Sequence, residues 1–140
     1  MLNNLNALTL SLIANAILTL LSILPVAIAR YYPSITFRRI KEPRAFFYYL
    51  PRWAKRAKWA HDNTFEAFII HSPAVILNII HLDKFPVSLD LIIVFSLLHP
   101  FLRILYIFSY IFDRALLRLF FWGGSMICSG VLYSLALTAL

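Results

Sequence analysis

Asn63 and Glu66 lie three residues apart, within an apolar stretch long enough to cross a bilayer. An unpaired charge near the centre of the hydrocarbon costs roughly 2.5 to more than 10 kcal/mol, so Glu66 must lie near an interface, find partners or be neutral. Candidate partners stand in a second apolar stretch, as Arg103, Tyr106 and Tyr110, and just after it, as Arg114 and Arg118. Spacing gives each set one helical face. Arg56, Asn63 and Glu66 fall at i, i+7 and i+10, and Arg103, Tyr106 and Tyr110 at i, i+3 and i+7. The chemistry open to such a seam is recognition of a small charged ligand. Guanidinium groups grip carboxylates through a two-pronged fork. A carboxylate suits an ammonium group, and a guanidinium beside a thiol favours the thiolate nucleophile. Each residue also has a plainer reading. Glu66 and Arg103 would pin two helices as an ion pair, the tyrosines would pack and hydrogen-bond, and Arg114 and Arg118 would reach to headgroups as anchors.

These residues need helices to position them. Of the 140 residues, 61% are hydrophobic, against roughly 45–50% in soluble domains. The excess is gathered into long runs. The expected fold class is therefore all-α: an integral membrane four-helix bundle forming a single domain over residues 1–140. Spans are expected at about 5–29, 60–82, 89–112 and 119–140. Met1 to Asn6 carry no basic residue and the run from Ala7 to Ala29 is long for a signal peptide, so the first segment reads as a retained span. Asn15 near its middle should bond to a neighbouring helix, and Pro25 should bend its end. Pro73 and Pro100 should bend spans two and three. In span four, Gly123, Gly124, Ser125, Ser129 and Gly130 form a small-residue stripe that permits close helix approach.

Net charge is +7 and unevenly spread. Nine of the thirteen basic residues fall between Arg30 and Lys58, with Glu42 as the one acid among them. That is a membrane topology signal; a nucleic-acid surface is the weaker reading, since no soluble domain exists to carry one. The positive-inside rule puts the first connector in the cytoplasm, together with the third, which holds Arg114 and Arg118. The start of span two and the end of span three then share the cytoplasmic end. This is a second reason for Asn63 and Glu66 to meet Arg103, Tyr106 and Tyr110. Tyr31, Tyr32, Phe46, Phe47, Tyr48 and Tyr49 suit the headgroup zone, as do Trp53, Trp59 and Trp122. Cys128 stands alone in an apolar run and reads as inert packing. His61, His71, His81 and His99 never pair at the i, i+4 spacing of a metal face, and His71 and His99 read as hydrogen-bonding partners between helices. No glycine-rich phosphate loop, Ser-His-Asp set or Cys-His set is visible.

With those residues in place the chain resembles the MAPEG family, the membrane-associated proteins in eicosanoid and glutathione metabolism, and most resembles its bacterial branch. Two blocks carry the resemblance. The first is Arg56-Ala57-Lys58-Trp59-Ala60-His61-Asp62-Asn63-Thr64-Phe65-Glu66, similar to the Asn-x-x-Glu pair, often preceded by Arg-Ala, that opens the family's second helix. The second is Arg103-Ile104-Leu105-Tyr106-Ile107-Phe108-Ser109-Tyr110 with Arg118 after it, similar to the family's third-helix stripe and the arginine that begins helix four.

The resemblance implies a homotrimer of four-helix subunits in the bacterial inner membrane, with glutathione as cosubstrate between subunits near the cytoplasmic end. It implies glutathione contacts from Arg30, Asn63, Glu66, Tyr106 and Tyr110. It also implies that Arg118 holds the thiolate, with Arg114 as its rival. Arg56 and Arg103, on the same two faces, complete the candidate binding set. The implied activity is transfer of glutathione to a small lipophilic substrate drawn from the lipid bilayer, or reduction of a lipophilic peroxide. The alternative is a non-enzymatic membrane scaffold or binding protein on the same fold. A multidrug-type transporter would need an acid deep in span one, which has none. A haem protein would need histidines paired at matching depths. One departure stands out. Trp59 occupies the position where the family's enzymes carry arginine, four residues before the Asn, and Asp62 stands where one subgroup is basic. Both remove positive charge, and Lys55, Arg56 and Lys58 are the nearest replacements.

Overall fold

The computed structural model describes residues 2–31, 41, 45–84 and 89–139. Tyr32, Glu42 and the basic residues Arg38, Arg39 and Arg44 lie outside them. Helices α1 (Leu2–Leu21) and α2 (Leu24–Tyr31) come first, then a short 3-10 turn at Ala45–Tyr49 and the long α3 (Arg52–Ile80). A second 3-10 turn at Leu82–Lys84 leads to α4 (Leu89–Ile111) and α5 (Ala115–Leu137). The α1–α2 pair acts as one span. With α3, α4 and α5 it makes four helical segments long and apolar enough to cross a membrane. No strand occurs among the described residues. The protein is an all-helical, multi-pass membrane protein.

The prolines act differently from one another. Pro25 offers no N–H to the carbonyl of Leu21, and the helix breaks at Ser22–Ile23. Pro51 sits just before α3 in extended conformation (φ −62°, ψ 157°), where its missing N–H does no harm. Pro73 and Pro100 lie inside unbroken helices. Pro100 leaves the carbonyl of Ser96 without its helical donor, and Ser11 Oγ of α1 donates to that oxygen at 2.6 Å. A proline in α4 is thereby converted into a tie between two helices.

Small side chains draw the helices together. The buried face of α3 is built from Ala54, Ala57, Ala60, Thr64, Ala67, His71 and Ala74. This alanine stripe brings backbones close without a large side chain between them. It is more extensive than the glycine-serine stripe expected in α5. There Ser125 and Ser129 are buried and a Cβ on Gly124 would meet Leu102 Cδ1 at 3.1 Å, but Gly123 and Gly130 face open space. α4 sits centrally, touching α1, α3 and α5, and its contact with α5 is the largest in the bundle.

Between apolar clusters near the two ends lies a sealed polar layer. Asn15 Nδ2 donates to Ser11 O (2.9 Å), which turns Asn15 Oδ1 toward His99 Nδ1 at 2.8 Å. That oxygen is only an acceptor, so His99 Nδ1 carries the proton of the pair. The His99 ring stacks on His71 with centroids 3.7 Å apart and planes 9° from parallel. His71 Nδ1 reaches Ser129 Oγ on α5 at 3.0 Å. All four spans thus meet through hydrogen bonds or ring contact, as expected for Asn15, His71 and His99. The outer surface is the reverse. Leu10, Ile13, Ile17, Phe101, Phe108, Leu116 and Phe120 are exposed, an apolar coat that lipid can wet and water cannot.

Candidate functional site

The facing polar stripes of α3 and α4 meet, but through an unexpected intermediary. Arg103 is 0% exposed. Its NH2 group donates to Asn63 Oδ1 (3.1 Å) and Thr64 Oγ1 (3.0 Å), and its guanidinium lies 4.1 Å from the centre of the Tyr106 ring. With Oδ1 held by Arg103, the Asn63 amide turns its Nδ2 toward Glu66 Oε2 at 3.4 Å. Asn63 therefore stands between acid and guanidinium, and Glu66 and Arg103 form no ion pair. The reason is direction: Arg103 points into the bundle, whereas Glu66 lies on the exposed face of α3.

Around this seam run three adjoining clefts. The middle one, of about 520 Å³, is lined by Trp59, Asp62, Asn63, Glu66, Tyr106 and Tyr110. A second, of about 440 Å³, shares Asn63, Tyr106 and Tyr110 and adds Arg118 with the apolar Ala115, Leu116, Leu119 and Trp122. A third, of about 350 Å³, shares Trp59 and Asp62 and adds Arg30, Phe47, Tyr48 and Lys58. The common walls make one continuous groove. Aromatic rings run along it, with cations toward its two ends. Phe47 and Tyr110 flank Trp59 at centroid distances of 6.3 and 6.5 Å, Tyr106 meets Tyr110 edge-on at 5.6 Å, and the Arg118 guanidinium lies 4.5 Å from the Tyr110 ring centre. Lys58 and Asp62 form an ion pair one turn apart.

The sequence-derived candidates divide accordingly. Asn63, Glu66, Tyr106, Tyr110 and Arg118 come together on the groove, and Arg30 lines its far end. Arg103 supports the groove from behind. Arg56 serves elsewhere: Nε and NH2 donate to the carbonyl of Ile111 at 3.2 and 3.1 Å, and NH1 approaches Asp113 Oδ2 at 3.4 Å. It closes the C-terminus of α4, where Asp113 takes a left-handed conformation (φ 61°) that an aspartate tolerates. Arg114 is exposed just before α5, while Arg118, one turn later, is half-buried. That difference favours Arg118 over its rival for any contact within the groove. Thr64, Phe47 and Trp122 join the site beyond the sequence-derived candidates. Thr64 carried a signal, since it adjoins Asn63, but nothing local distinguishes the other two from ordinary interfacial rings.

The profile of the MAPEG family matches residues 7–138, nearly the whole chain. The chain belongs to the MAPEG family. No curated protein and no solved structure matches the sequence. Membership makes this a membrane protein of a family concerned with glutathione and eicosanoid metabolism. In this MAPEG protein the Asn-x-x-Glu pair and the tyrosine stripe face a common groove, and the Trp59 indole lines both its middle and its Arg30 end.

Proposed function

We propose that this MAPEG protein binds glutathione in the groove between Glu66 and Arg118 and uses the thiolate on a lipophilic substrate from the bilayer. One observation carries the reading: a carboxylate and a guanidinium lie in adjoining clefts that share the wall Asn63–Tyr106–Tyr110. A ligand with separated positive and negative groups can satisfy both at once. Glu66 would take the ammonium group of glutathione, and Arg118 would hold the sulfur as thiolate, raising the nucleophile's population near neutral pH. Leu116, Leu119 and Trp122 beside Arg118 give an apolar bed for the electrophile or hydroperoxide. The groove is open in a single subunit, and a homotrimer with ligand at the subunit interfaces would close it. The basic first connector supports placing this end of the bundle in the cytoplasm.

Glutathione-conjugation and hydroperoxide assays on purified protein in detergent test the reading, with Arg118→Ala, Arg114→Ala and Glu66→Gln alongside. Activity should fall in Arg118→Ala and Glu66→Gln and persist in Arg114→Ala. Wild-type turnover no higher than that of Arg118→Ala would remove the enzymatic claim. A non-enzymatic binding protein is the second reading, and Trp59 favours it, because an indole gives a ligand carboxylate no counter-charge.

A further inference from the structure

The end of the bundle that carries the groove has a second charged surface outside it. Arg56 donates to the carbonyl of Ile111 and approaches Asp113, which fixes α3 against the end of α4. Two more arginines flank that contact. Arg52 stands one turn before Arg56 on the same face of α3, and Arg114 directly follows Asp113. The Arg114 backbone is pinned, its N–H donating to Ser109 O at 2.8 Å. Both side chains are exposed, and neither has a partner among the described residues. Three guanidiniums thus stem from one short stretch of rim whose single carboxylate is already engaged, while Asp62 and Glu66 of α3 line the groove. Leading away from Arg114 along α4 runs an apolar ridge. Phe112, Phe108, Ile104 and Phe101 share one face and are all exposed, and the Phe108 and Phe112 rings stack with planes 12° from parallel. Tyr106 and Tyr110, on the opposite side of the helix, line the groove. From Phe101 to Phe112 the ridge rises about 16 Å at 1.5 Å per residue, close to one leaflet of a hydrocarbon core about 30 Å thick. An acyl chain can lie along it. A zwitterionic headgroup would bring its own cation toward the arginines, whereas an anionic one brings a phosphate alone, which guanidinium groups grip through two parallel hydrogen bonds.

We propose that Arg52 and Arg114 form a headgroup site for an anionic phospholipid, with an acyl chain laid along the ridge from Phe112 to Phe101. The ligand is the lipid and not a free phosphate, because the ridge supplies a hold that a free phosphate cannot use. The site lies outside the groove and does not depend on the glutathione reading. It gives Arg114, which has no place in the groove, a partner of its own.

Native mass spectrometry of the purified full-length protein in detergent tests this, with phosphatidylglycerol and phosphatidylcholine of identical acyl chains added in turn. Wild-type protein should hold phosphatidylglycerol at least about tenfold more tightly, since each basic side chain at a bilayer surface adds to the attraction for anionic lipid. The preference should vanish in the double variant Arg52→Gln/Arg114→Gln. It should persist in Lys55→Gln/Lys58→Gln, which removes the same charge from the same end of the bundle. Phe108→Ala should weaken both lipids alike, and millimolar inorganic phosphate should leave the lipid bound. Unchanged circular dichroism confirms the fold of each variant. Equal affinity for the two lipids in wild type, or a preference that survives the loss of both arginines, would overturn the proposal. So would an equal loss in the lysine pair, which would mean diffuse attraction without a site, or displacement of the lipid by phosphate. Dissociation of an oligomer by Phe108→Ala, with neither lipid held by wild type, would assign the ridge to a second copy of the chain and overturn it too.

Discussion

Two polar regions sit one above the other in this bundle, and they have opposite characters. The layer of Asn15, His71, His99 and Ser129 is closed, and its side chains bond across helices. The groove from Trp59 to Arg118 is open, and Trp59 and Glu66 stay exposed along it while Tyr106 is buried in its wall. Arg103 separates the two: fully buried, it braces Asn63 on the groove side. The lesson concerns how polarity in an apolar chain is to be read. Histidines invite a functional role, yet here the two buried rings lie face to face in nearly parallel planes, so their in-plane lone pairs cannot converge on one ion. The less conspicuous Asn-x-x-Glu pair lies where a ligand can reach.

Mutations should break this comparison unequally. The largest effect belongs to Arg103→Ala, which empties a filled interior volume and strips Asn63 and Thr64 of their donor. Thermal unfolding in detergent should register a loss of about 2–5 kcal/mol. Next comes the alanine stripe. Ala67→Leu inserts bulk where α3 meets its neighbours and should cost about 1–3 kcal/mol by the same measurement. Asn15→Leu leaves the His99 N–H with no acceptor and should lose a similar 1–3 kcal/mol while glutathione affinity holds. Arg118→Ala inverts that pattern: unfolding should move by less than about 0.5 kcal/mol, while calorimetry should show ligand binding at least about tenfold weaker. Arg114→Ala should change neither. If Asn15→Leu weakened binding as much as Arg118→Ala does, the two regions would not be separable.

Much of the fold was legible in the sequence because hydrocarbon imposes simple rules. Long apolar runs became helices, and Asn63 of α3 and Arg103 of α4 did turn toward each other. What stayed hidden depends on tertiary direction. The spacing of Arg56 matched Asn63 and Glu66, but its long side chain reaches the end of α4, a partner fifty-five residues away in sequence. Arg103 shares a face with Tyr106 and Tyr110 yet lies deeper, because α4 is central and that face is packed against α3. The alanine stripe gives no signal in the sequence since alanine carries no chemistry, and its effect appears only when a second helix approaches. α5 begins at Ala115, a turn before the apolar run itself, because the turn at Asp113 reverses the chain so quickly.

The most direct test is an experimental structure of the protein in lipid nanodiscs with saturating glutathione. The account predicts ligand density in the groove, with the amine end near Glu66 and Trp59 and the sulfur near Arg118, and no ligand in the His71–His99 layer. Density that avoids the groove, or a groove closed by lipid while glutathione binds elsewhere, would contradict it.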